Sequence, residues 1–128
     1  MSTAFKARIL VAEDEEFTHN LLREVLTAAN FQLEAVTKVA DAIAKISGFD
    51  PHAVNTDLNF GITGPGGADL MHYIENEHPW VGKVVLSSNS SPAFAVPNGT
   101  ALPTGATYRV KSELGSMHNL IYVVKNSI

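Results

Sequence analysis

Four polar residues in this chain each stand where an apolar, β-branched run stops. Asp14 follows Ile9-Leu10-Val11-Ala12, Asp57 follows Ala53-Val54, Ser87 follows Val84-Val85-Leu86, and Lys111 follows Tyr108-Arg109-Val110. In an open parallel sheet all strand carboxyl ends face one crevice, so residues distant in sequence can converge there. Two carboxylates, a hydroxyl and an ammonium at one sheet edge are the groups that phosphoryl chemistry uses. Carboxylates bind a hard divalent cation or attack phosphorus, and the donors neutralise phosphoryl oxygens.

The elements that would position these residues follow from periodicity. Arg8 to Ala12 reads as a buried strand. Phe17, Leu21, Leu22, Val25 and Leu26 then mark one face of a helix, with Asn30 as its stop. Phe31 to Val36 predicts a second strand. Val39 to Ile46 predicts a second helix with Ala40, Ile43 and Ala44 inward and Gly48 just past its end. Asp50-Pro51 turns the chain into a third strand over His52 to Thr56. Leu70, Met71 and Ile74 stripe a third helix over Ala68 to Glu77, closed by Pro79. Lys83 to Ser87 and Thr107 to Val110 predict strands four and five. Leu114, Met117, Leu120, Ile121 and Val124 stripe a last helix. This alternation predicts an α/β fold of five strands in a parallel sheet with helices on both faces. Between Ser88 and Gly105 the alternation fails. Pro92, Pro97, Gly99 and Pro103 break any ordinary helix there, so the fourth helix is expected to be absent or very short.

At 128 residues and 45% hydrophobic, the sequence fits a single domain over residues 1–128. It has no cysteine, which excludes disulfides and thiolate metal sites. A net charge of −4 with scattered basic residues argues against direct nucleic-acid binding. No signal-peptide or membrane pattern is present, so a cytoplasmic protein without membrane partners is expected.

The runs Arg8-Ile9-Leu10-Val11-Ala12-Glu13-Asp14-Glu15, Thr56-Asp57-Leu58-Asn59, Val84-Val85-Leu86-Ser87-Ser88 and Tyr108-Arg109-Val110-Lys111, in this order and at this spacing, resemble the receiver domain of two-component response regulators. The resemblance implies a flavodoxin-like, doubly wound sheet of order 2-1-3-4-5, and a phosphorelay signalling domain rather than a turnover enzyme, one that promotes its own phosphorylation and dephosphorylation. Asp57 would be the phosphoacceptor, taking a phosphoryl group from a sensor histidine kinase or a phosphotransfer protein. Asp14, Asp57, Glu13 through metal-bound water, and the backbone carbonyl of Asn59 would hold Mg²⁺. Ser87, Ser88 and Lys111 would contact the phosphoryl group, and Tyr108 would move with the hydroxyl residue after phosphorylation. A downstream protein would read the changed surface. With no domain following Ile128, a stand-alone switch is expected.

Bland readings stand beside these. Glu13 to Glu16 could merely complement a helix dipole, Asp57 could be a turn residue and Tyr108 a packing residue. The joint register of the four strand-end residues is what favours the chemical reading. The glycine-rich stretch Gly61 to Gly67 lacks the lysine and hydroxyl of a nucleotide loop. The five histidines, His19, His52, His72, His78 and His118, lack metal-ligand spacing and read as solvated or structural. Three residues depart from the family pattern: Glu13 replaces the usual aspartate, Ser87 the commoner threonine, and Ser112 the proline usual after the lysine. A trans Lys111-Ser112 bond is expected, since a non-proline cis bond costs ~2.5–4 kcal/mol. Glu13, the missing proline and the missing fourth helix motivate the alternative of a phosphorylation-independent pseudo-receiver that serves only as an interaction module, against which intact Asp14, Asp57, Ser87 and Lys111 weigh. An aspartate-nucleophile phosphatase would need a second aspartate where Asn59 stands. A flavin carrier would place phosphate against the Glu13 to Glu16 run, which repels it.

Overall fold

The computed structural model describes residues 7–57, 66–87, 102–103, 105–110 and 124. Five strands and three helices alternate through them: β1 (Arg8–Ala12), α1 (Glu16–Ala28), β2 (Gln32–Val36), α2 (Val39–Phe49), β3 (Ala53–Asp57), α3 (Gly67–Glu77), β4 (Gly82–Ser87) and β5 (Thr107–Val110). All paired strands are parallel, in the order β2-β1-β3-β4-β5. This is the predicted flavodoxin-like sheet. The fourth and last helices of the sequence reading, the Lys111-Ser112 bond and most of the proline-rich segment lie outside the described residues. Val124, in the last stripe, is helical and fully buried.

The period-2 alternation of each strand divides the core into two layers. Leu10, Ala12, Val54 and Val85 pack on the side of α2 and α3, with Val39, Ala42, Ile46, Leu70, Met71 and Ile74. Ile9, Val11, Ala53, Val84 and Leu86 pack on the opposite side, with Leu22, Val25 and Leu26 of α1 and with Val124. Burial on both faces is why these strands read as continuous apolar runs. A fully buried Leu or Ile gains ~1.5–3 kcal/mol, which fixes the register against slippage.

Several local expectations shift. On α1 the buried residues are Leu22, Val25 and Leu26, whereas Phe17 is 74% and Leu21 42% exposed. One helix face subtends only about 100°, and three residues already fill the contact with the sheet. On α2 the inward stripe is Val39, Ala42 and Ile46, with Ile43 and Phe49 packed beside it, while Ala40 and Ala44 are exposed. Positions 39, 42 and 46 stand three and four apart and so share the one helix face that meets the sheet. α2 also runs past Gly48, and its left-handed terminal residue is Asp50, with φ 52°. Asp50 tolerates that conformation, and its carbonyl and carboxylate hold Arg8 Nε at 2.8 Å and Nη2 at 3.4 Å. At the other helix end foreseen from sequence, Asn30 does take the left-handed conformation, with φ 71°. α3 is capped by Gly66, whose backbone N–H donates to Asp69 Oδ2 at 2.8 Å, half of a capping box.

Candidate functional site

The strand registers bring all five carboxyl ends to one edge. Ala12 stands beside both Val36 and Thr56, Asp57 beside Leu86, and Ser87 beside Val110. Strand order reverses between β1 and β3, because the chain leaves β1 toward β2 on one side and returns to β3 on the other. The crevice between those two strand ends is where such sheets bind ligands. Glu13 and Asp14 leave β1 on one side of it, and Asp57 ends β3 on the other.

Side-chain geometry completes the convergence. One carboxylate oxygen from each of Glu13, Asp14 and Asp57 lies within 4.8 Å of the others. Glu13 is fully buried and Asp57 nearly so, while Asp14 is exposed. Two carboxylates at that separation repel by about 3–4 kcal/mol at an effective dielectric of 20. Folding therefore holds together charges that would separate in water. The donor set is all hard oxygen, bears up to three negative charges and is open to solvent through Asp14. That combination fits a hard divalent cation that keeps part of its water shell.

The turn carrying Glu13 and Asp14 is pinned by backbone contacts. Glu13 N–H donates to Val36 O at 3.0 Å, tying the turn to the end of β2. The Glu13 carbonyl accepts from His19 Nδ1 at 3.1 Å. Since a carbonyl can only accept, Nδ1 carries the proton. Thr18 Oγ1 donates to Glu15 Oε2 across the first turn of α1. On the β3 side, Thr56 Oγ1 donates to the Asp57 carbonyl at 2.9 Å.

Of the other candidate residues, Ser87 closes β4 at the same edge as Asp57. Tyr108 lies on β5 beside Val85, half-buried against the layer of α2 and α3. Asn59, Ser88 and Lys111 lie outside the described residues.

Sequence reasoning passed over three polar residues. His19 gives no metal-ligand spacing, yet it contacts the acidic turn. Its position within the first turns of the helix after the acidic pair was the available signal. Asn55 is buried, and neither of its amide atoms finds a hydrogen-bond partner among the described residues. Lys83 is buried at the opposite end of β4, where its ammonium pairs with Glu75 Oε2 at 3.1 Å and donates to Val81 O at 3.0 Å. No sequence spacing distinguishes these two from ordinary strand residues.

No protein-family model matches the sequence, and no curated protein matches it. Solved structures do. A response regulator receiver protein from Sinorhizobium medicae is 25% identical, with a TM-score of 0.79 over 94% of this chain and 93% of its own. The signal receiver domain of an HD domain-containing protein from Pseudomonas fluorescens is 14% identical, with a TM-score of 0.78 over 96% and 94%. A CheY-like receiver domain protein from Methanospirillum hungatei is 17% identical, with a TM-score of 0.76 over 95% and 93%. The chain thus has the fold of the response regulator receiver domains. Among the described residues, no helix is long and apolar enough to cross a membrane.

Proposed function

We propose that this chain is a phosphoacceptor receiver, a cytoplasmic signalling switch that accepts a phosphoryl group on Asp57 from a sensor histidine kinase or a phosphotransfer protein. The observation that carries the reading is the carboxylate trio of Glu13, Asp14 and Asp57 at the strand-order reversal, its oxygens within 4.8 Å of one another.

In the transfer, a carboxylate oxygen of Asp57 attacks phosphorus, the phosphorus–nitrogen bond of phosphohistidine breaks, and its electron pair returns to the imidazole. The product is an acyl phosphate. Glu13, Asp14, Asp57 and the Asn59 backbone carbonyl would hold Mg²⁺, which supplies positive charge for the phosphoryl oxygens and offsets the repulsion among the carboxylates. Lys111 would contribute a cationic donor, and the Ser87 and Ser88 hydroxyls would donate to phosphoryl oxygens. Tyr108, which packs against the layer of α2 and α3, would report the change to a downstream protein.

Incubation with Mg²⁺ and acetyl phosphate, followed by intact mass, tests this. One added phosphoryl group in the wild type and none in Asp57→Asn supports it. Absence of any adduct, together with no Mg²⁺-dependent beryllofluoride binding, would instead indicate an interaction module that signals without phosphate.

A further inference from the structure

The turn that carries Glu13 and Asp14 belongs to no regular element. β1 ends at Ala12 and α1 begins at Glu16. Two charged side chains project from this turn into a cluster where a third carboxylate already stands, so electrostatics alone would open it. Its geometry rests on what holds the Glu13 peptide units. The N–H is fixed by Val36 O at 3.0 Å. The C=O, part of the peptide plane that sets the direction of Asp14, is fixed by the His19 ring at 3.1 Å.

We propose that His19 is a positioning residue for the metal-binding carboxylates, its Nδ1–H orienting the Glu13–Asp14 peptide so that both side chains are gathered before the cation arrives. The inference rests on the metal reading given under Proposed function. His19 suits the task because it is anchored on α1, where its own backbone N–H donates to Glu15 O at 2.9 Å. Its half-buried ring lines an open groove with Val36, Thr37, Asp41 and Lys45. The donor is present in the Nδ1–H tautomer and in the imidazolium alike, so the hydrogen bond, rather than a charge on the ring, does the positioning. Groups that orient metal ligands without touching the metal typically alter affinity by ~10–100-fold when removed.

The test is a Mg²⁺ titration at fixed pH and ionic strength, followed by amide chemical shifts around Asp14 and Asp57, with thermal unfolding recorded in parallel. His19→Leu is expected to weaken Mg²⁺ binding roughly tenfold, whereas His19→Asn, whose amide N–H₂ replaces the Nδ1 donor, should stay within about threefold of wild type. Unchanged affinity in His19→Leu would overturn the proposal, as would equal weakening in the Leu and Asn variants. Should His19→Leu fail to fold, His19→Gln substitutes for it. Gln carries its donor farther from the backbone, so Gln and Asn variants of equal affinity would also overturn it. A wild type that binds no Mg²⁺ would instead refute the metal reading on which the inference rests.

Discussion

The Glu13 and Asp57 side chains meet across the crevice between β1 and β3 with carboxylate oxygens no more than 4.8 Å apart, although one is fully buried and the other 7% exposed. Two buried like charges at that distance destabilise the native state, and the unfolded chain relieves the conflict. Asp57→Asn is therefore expected to raise stability by about 1–3 kcal/mol without divalent cations, the Coulomb penalty being discounted for screening. Saturating Mg²⁺ should narrow the gap, because a ligand of the native state stabilises the wild type more. Urea unfolding in EDTA and in Mg²⁺ checks both. A variant less stable than wild type in EDTA would contradict the repulsion.

Asn55 lies two residues before Asp57 on β3, beside Val11 of β1 and Val84 of β4, with its amide buried and unpartnered among the described residues. Leaving such a group without partners costs about 1–3 kcal/mol. Asn55→Val, which matches its two valine neighbours and suits a central strand, is expected to raise stability by a similar amount. Denaturant midpoints measure it. A loss of stability would demonstrate that the amide is satisfied in solution.

Gly48 occupies the last turn of α2, and a Cβ placed there meets nothing within 4 Å. The residue gives the helix only backbone freedom in the unfolded chain. Gly48→Ala should stabilise the protein by about 0.5–1 kcal/mol and leave Mg²⁺ affinity unchanged, the position being remote from the strand ends. Thermal unfolding and a Mg²⁺ titration decide the matter, and a lower melting temperature would mean that α2 ends before Gly48.

The central strands were legible in sequence because burial on both faces writes a strand as an unbroken apolar run, as in Ile9 to Ala12, whereas the sheet order came only with the family resemblance. Helix faces were less legible. Phe17 and Leu21 share the helical period with Leu22 and Val25, and periodicity alone cannot tell which side of a wide apolar stripe meets the sheet. The end of α2 was misplaced because glycine is the usual left-handed terminator, whereas Asp50 fills that role with Arg8 as its partner. At the candidate site, Asp14 and Asp57 followed from strand-end logic and Glu13 from the family resemblance. His19 did not, since its contact is to a backbone carbonyl, and such contacts leave no residue-type signature.

The central claim is that Asp57 itself becomes the acyl phosphate. Borohydride reduces an acyl phosphate on aspartate to homoserine, so treating the protein with Mg²⁺ and acetyl phosphate, then borohydride, then protease and mass spectrometry of the peptides, locates the modified residue. Homoserine at position 57 is the expected result, absent when Mg²⁺ is replaced by EDTA. Homoserine at Asp14 or at no position, with the protein shown to be folded, would contradict it.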